Sequence, residues 1–121
     1  MLLVDAANVV GSRPTGWWRD RAKAASRFVE RVRAAAASSD LPTPVVVVLE
    51  GRAREGMEEG VEDGVEVVHA PGEGDDTVAT IAETAAEPVT LVSADRALAH
   101  RCRAAGAEVV GPGWLLDRLG E

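Results

Sequence analysis

Carboxylates recur at the ends of apolar runs in this 121-residue chain. Met1-Leu2-Leu3-Val4 stops at Asp5, Val45 to Leu49 stops at Glu50, and Val89 to Val92 leads through Ser93-Ala94 to Asp95. The Asp75-Asp76 pair opens the segment after a fourth run, Val65 to His69. If these runs are strands of one parallel sheet, their acids lie along one edge, where open α/β sheets place their ligand sites. Carboxylates forced together repel unless they are protonated or bridged by a cation. Oxygen ligands without His or Cys suit Mg²⁺ or Mn²⁺. Such an ion can bind a phosphate oxygen and lower the pKa of a water for attack. Phosphodiester hydrolysis is the reaction this set serves most directly. Asn8 follows Asp5 closely enough to aim its amide at the same crevice, to orient a ligand, a water or a phosphate. Ser93 can orient the site but has no His/Asp partner in sequence that would make it a nucleophile. Taken singly, each acid has a plainer reading. Asp75, Asp76 and Asp95 suit helix starts, Asp5 suits a turn, and Glu50 suits the surface before a glycine. Four such coincidences along one edge favour a site.

The elements that must position these residues follow from periodicity. Met1 to Val4 and Val45 to Leu49 are unbroken apolar runs too short for helices, as expected of strands buried on both faces. Val9 to Gly16 reads as a loop with Gly11, Pro14 and Gly16 as breakers. Trp17 to about Ser38 reads as a long helix, its apolar face formed by Trp18, Ala22, Ala25, Val29, Val32 and Ala36. Arg19, Lys23, Arg27 and Arg31 recur on the opposite, exposed face. Between Arg13 and Arg33 there are seven basic and two acidic residues, a positive patch in an acidic chain. Arg13, Arg19, Lys23 and Arg27 are the candidate contacts to a phosphate backbone. Trp17, if partly exposed beside these arginines, could stack on a base; the plainer reading, that Trp17 and Trp18 both pack the helix onto the sheet, has at least equal weight. Arg52 to Gly64 reads as an exposed loop or short irregular helix, and Ala70 to Gly74 as a Pro/Gly loop. Helices follow from Asp75 to about Ala86, with Val78, Ile81, Ala82 and Ala85 on one face, and from Asp95 to about Ala105. A last strand, Ala107 to Val110, precedes a short helix over Pro112 to Leu119. The order β-α-β-β-α-β-α-β-α implies a three-layer α/β/α sandwich on a mainly parallel sheet, with the first strand central.

Bulk properties bound the rest. The chain is 46% hydrophobic and 27% charged, which suits one folded domain over residues 1–121. Three Trp, one Phe and no Tyr leave the core to Val, Leu and Ala. The one cysteine, Cys102, excludes an internal disulfide and a thiolate zinc cage and is expected to be an inert buried thiol. His69 and His100 read as strand-end and helix-surface residues. The net charge of −7 argues against a general nucleic-acid coat protein, but metal-binding acids contribute negative charge themselves. With no leader-like start and no membrane-spanning run, a cytoplasmic protein without membrane contact is expected. Oligomeric state is open, a homodimer included.

Four segments carry a family resemblance. Val4-Asp5-Ala6-Ala7-Asn8 resembles the opening strand motif of the NYN branch of the PIN-like superfamily. Gly74-Asp75-Asp76-Thr77-Val78 resembles its acidic helix start, and Val92-Ser93-Ala94-Asp95-Arg96-Ala97-Leu98 resembles its Ser/Thr-x-Asp segment. Gly106 to Leu116 resembles the closing strand and helix, so the likeness covers nearly the whole chain. It implies a Mg²⁺- or Mn²⁺-dependent ribonuclease acting on RNA, with Asp5, Asp75 and Asp95 as principal ligands and Asp76 and Glu50 supporting. Ala97 stands where many relatives carry a further acid, and Glu50 where several carry Asp. The alternatives are an inactive module of the same fold that binds RNA or protein, and a small-molecule phosphohydrolase.

Overall fold

A computed structural model describes residues 1–121. Its elements are β1 (Leu2–Asp5), α1 (Ala6–Gly11), α2 (Arg21–Ala37), β2 (Val45–Leu49), β3 (Gly60–Glu62), β4 (Val65–His69), α3 (Gly74–Thr84), β5 (Thr90–Val92), α4 (Arg96–Ala104), β6 (Glu108–Val110) and α5 (Pro112–Arg118). Short 3-10 segments cover Trp17–Arg19 and Gly51–Gly56. The six strands form one sheet in the order β3-β4-β2-β1-β5-β6. All pairings are parallel except β3 with β4, so β1 is central as expected.

The unbroken apolar runs are explained by what covers each face. Leu2 and Val4 of β1 and Val45, Val47 and Leu49 of β2 enter one core with Phe28, Val29 and Val32 of α2 and Leu115 and Leu116 of α5. Leu3, Val46 and Val48 enter a second core with Val78, Ala79 and Ala82 of α3 and Leu98 and Cys102 of α4. With helices on both faces no strand position needs a polar side chain, so the two-residue alternation disappears. The result is the expected mainly parallel α/β/α sandwich. Cys102 is completely buried in the second core, and burial pushes its thiol pKa up. No helix is long and apolar enough to cross a membrane.

Three local expectations are corrected. Residues 6–11 form the helix α1 rather than leading straight into a loop, because burying Ala6 and Val9 against the sheet overrides the weak helix propensity of AANVVG. The long helix begins at Arg21, not Trp17. Asp20 has an extended backbone (φ −149°) and caps α2, its Oδ1 accepting the Lys23 N–H at 3.0 Å. That break shifts the helical phase, so Trp18 is 51% exposed instead of facing the core, while Trp17 is half-buried. The segment after β2 contains the edge strand β3, all exposed, which exists only through its antiparallel pairing with β4. The 3-10 turn before β3 lies hard against α2. A Cβ at Gly56 would overlap the carbonyl of Ala22, so only glycine allows this approach.

Candidate active site

The C-terminal edge of the parallel strands is where β1, β2, β4 and β5 hand over to the segments that follow. Asp5 ends β1 and is 8% exposed; it and Ser93 are the two buried polar side chains of the protein. The Ser93 hydroxyl donates to Asp5 Oδ2 at 3.0 Å, and the Asp95 backbone N–H donates to Ser93 Oγ at 3.1 Å. Asn8 Oδ1 accepts the Ala94 N–H at 2.7 Å. α1 is thereby pinned to the loop between β5 and α4, across 86 residues of sequence.

Asp5, Asn8, Glu50, Glu73, Asp75 and Asp95 line one cleft of about 300 Å³, with Ala7. Five carboxylates from four strand ends therefore share one opening. Burial is the main cause that raises the pKa of Asp5. The Ser93 hydroxyl and the nearby Asn8 backbone N–H oppose it, and the charges of Glu50 and Asp95 add to it. The repulsion inferred from strand ends is thus a property of the folded chain. Asp95 has two tasks: Oδ1 accepts the Leu98 N–H at 3.0 Å and caps α4, as its type suggests, while the residue also lines the cleft.

Gly74 shapes the wall. A Cβ built there would stand 2.8 Å from Glu50 Oε1 and 3.3 Å from its Cδ, so the missing side chain makes the seat for the Glu50 carboxylate. The donors are oxygens alone, which fits Mg²⁺ or Mn²⁺ in kind. No three His, Cys, Asp or Glu side chains form a group ready to hold a metal ion.

Two expectations about the acids change. Asp76 does not line this cleft. Its side chain is 81% exposed and its Oδ1 accepts from Arg101 at 2.9 Å, because adjacent residues in a first helical turn point about 100° apart. Glu73, read only as part of a Pro/Gly loop, does line it. Its signal was its place immediately before the Gly74-Asp75 helix start, the N-cap position of α3 at the same sheet edge.

The expected basic residues also converge. Arg13, Arg19, Lys23 and Arg27 line a second groove of about 310 Å³ together with Arg31 and Trp17. Arg31 is ion-paired with Glu121. Arg21 lies over the Trp17 ring (5.4 Å to its centroid) and Arg19 over the exposed Trp18 ring (5.8 Å). Val9 and Val10 of α1 line this groove too, while Ala7 and Asn8 line the acidic cleft. α1 is the wall between them.

Comparison with solved structures bears on the fold. The fold is shared with Rae1 (YacP) from Bacillus subtilis. The crystal structure of Rae1 matches over 99% of this chain and 73% of its own, with TM-score 0.70 and 21% identity. A tryptophan-to-leucine mutant of Rae1 matches over 98% and 74%, with TM-score 0.71 and 20% identity. No family model and no curated protein sequence matches this chain. At this identity the likeness to Rae1 establishes a common α/β fold, and the chemistry must be argued from the cleft.

Proposed function

We propose that the protein is a PIN-like ribonuclease that hydrolyses RNA phosphodiester bonds with a divalent cation, Mg²⁺ or Mn²⁺. The observation that carries this reading is the convergence of Asp5, Glu50, Glu73, Asp75 and Asp95 in one cleft, walled by α1 from a groove of Arg13, Arg19, Lys23 and Arg27. In this reading Asp5, Asp75 and Asp95 hold the ion, with Glu50 and Glu73 beside them. The ion supplies Lewis-acid stabilisation and a water of lowered pKa when bound. Ser93 fixes the Asp5 carboxylate through its hydroxyl and Asn8 fixes the mouth of the cleft through Ala94. The groove cations hold the backbone of the strand and carry no base preference of their own.

The test is hydrolysis of a labelled RNA, compared with free nucleotides, with and without Mn²⁺. Mn²⁺-dependent cleavage of RNA alone is expected. Hydrolysis of nucleotides alone would assign a small-molecule phosphohydrolase instead. One observation favours a second reading, a module that binds RNA or a protein without cutting: no three carboxylates are gathered for a metal, and Ala97 brings no further acid. RNA binding without cleavage at any Mn²⁺ concentration would select it.

A further inference from the structure

α4 carries a row of basic side chains, two arginines and a histidine, that no acid within the protein answers. Arg96, His100 and Arg103 stand at spacings of four and three on one face of the helix, and all three are exposed. The ion pairs of the protein use Met1, Arg31, Arg33 and Arg101 and leave this row free. Arg101, on the same helix, is by contrast bonded to Asp76. The row lines a groove of about 510 Å³ whose other walls include Ser93 and, from β6, Val109 and Val110. No carboxylate lines it, although the chain as a whole carries a charge of −7. Arg96 also stands in the first turn of α4, where the positive end of the helix dipole disfavours a cation, so helix stability does not explain its presence.

The groove begins where the acidic cleft ends. Ser93 lines the groove, and its hydroxyl donates to Asp5, which lines the cleft. The cleft also adjoins the groove of Arg13, Arg19, Lys23 and Arg27, with α1 as the wall between them. An acidic cleft by itself repels a polyanion, so a substrate strand needs positive charge on both sides of it. We infer that the groove between α4 and β6 is a second backbone subsite for single-stranded RNA, so that one strand runs from the α2 groove across the acidic cleft to Arg96, His100 and Arg103. This rests on the ribonuclease reading of the cleft. The row spans about 10 Å along the helix. No Trp, Tyr or Phe lines it, so the subsite holds the strand chiefly through arginine contacts to phosphates and adds affinity rather than sequence preference.

The experiment compares the full chain with its Arg96→Ala/Arg103→Ala variant, both positions being exposed and tolerant of alanine in a helix. Affinities are measured for labelled single-stranded RNAs of about 4 and about 16 nucleotides, the limits of common single-strand site sizes. Binding of the long RNA weakens in the variant, and binding of the short one, seated over the cleft, does not. Losing two phosphate contacts lowers the salt slope, so the defect is about sevenfold larger at 50 mM than at 200 mM salt. Equal affinity of both proteins for the long RNA at low salt overturns the subsite, and Mn²⁺-dependent cleavage by the wild type then shows that the ribonuclease reading survives without it. A long-RNA defect with no cleavage by either protein keeps the groove as an RNA site and removes the ribonuclease reading. Polyglutamate binding to the wild type as tightly as long RNA, and lost in the variant, makes the groove a protein-docking surface and also overturns the proposal.

Discussion

Gly74→Ala should make the protein more stable and less able to handle a metal ion. The backbone at Gly74 lies outside the left-handed region, so alanine fits its conformation. Replacing glycine at such a position restricts the unfolded chain and stabilises by about 0.4–1 kcal/mol. The new Cβ meets Glu50 Oε1 at 2.8 Å and its Cδ at 3.3 Å. That contact is the far end of a flexible, half-buried side chain, which can swing out at little cost. A net gain of roughly 0.5 kcal/mol corresponds to a melting temperature about 1–4 °C higher for a chain of this size. The same swing takes Glu50 from the cleft, and loss of a residue supporting a metal site typically costs 10- to 100-fold in affinity or activity. The assay pairs thermal melts with and without Mn²⁺ with RNA cleavage rates. A double-mutant cycle supplies the decisive comparison, because in a Glu50→Ala background Gly74→Ala has no carboxylate to displace. There it should still raise the melting temperature but change the metal response no further. An unchanged Mn²⁺ response in the single variant would refute the argument that this glycine exists to seat Glu50.

Asp5→Asn should abolish cleavage, blunt the rise in melting temperature that Mn²⁺ gives by mass action, and raise the melting temperature of the metal-free protein at neutral pH. Burial raises the Asp5 pKa, so its stabilising contribution is present below the unfolded value of 3.8 and is lost as pH rises through the folded value. The advantage of the variant should therefore shrink on acidification, and a pH-independent difference would contradict the burial argument. Arg19→Glu/Lys23→Glu should weaken RNA binding most at low salt while leaving the Mn²⁺ melting shift intact; equal RNA affinity would demote the α2 groove to a solvated helix face. Asp76→Ala should leave cleavage and metal response unchanged, since that side chain faces Arg101, and a cleavage defect in kinetic assays would return it to the site.

The parts of the fold that were legible are those whose cause is local. Val45 to Leu49 announces a strand covered on both faces because its five apolar residues are too few for a buried helix and four of them are β-branched valines. The acids at its end and at the end of β1 follow from the same run-and-stop pattern. The parts that were not legible depend on distant partners. β3 is an exposed Gly-Val-Glu segment that becomes a strand only because β4 offers an edge. α1 is six residues with two adjacent valines, and its helicity comes from burying Ala6 and Val9. Trp18 was misplaced because a periodic face was carried across Asp20, where the backbone leaves the helix. Glu73 escaped notice because a glycine- and proline-rich turn reads as a spacer, whereas its side chain is placed by the helix that begins one residue later. Asp75 and Asp76 look equivalent in sequence, and the helical rotation between neighbours separates their fates.

Cys102 gives the protein a built-in clock. Its thiol is sealed in the core between α3, α4 and the sheet, and burial raises its pKa, so the closed protein offers neither access nor thiolate. A thiol reagent can therefore react only when that layer opens. As long as reclosing outruns labelling, the modification rate in native buffer reports the free energy of opening at one defined place. Because α4 holds the Asp95 cap and α3 carries Asp75, the same opening takes apart one bank of the acidic cleft. An ion that ties the two helices to β1 should slow the clock, so labelling kinetics can reveal occupancy of the cleft with no substrate present and no turnover to follow.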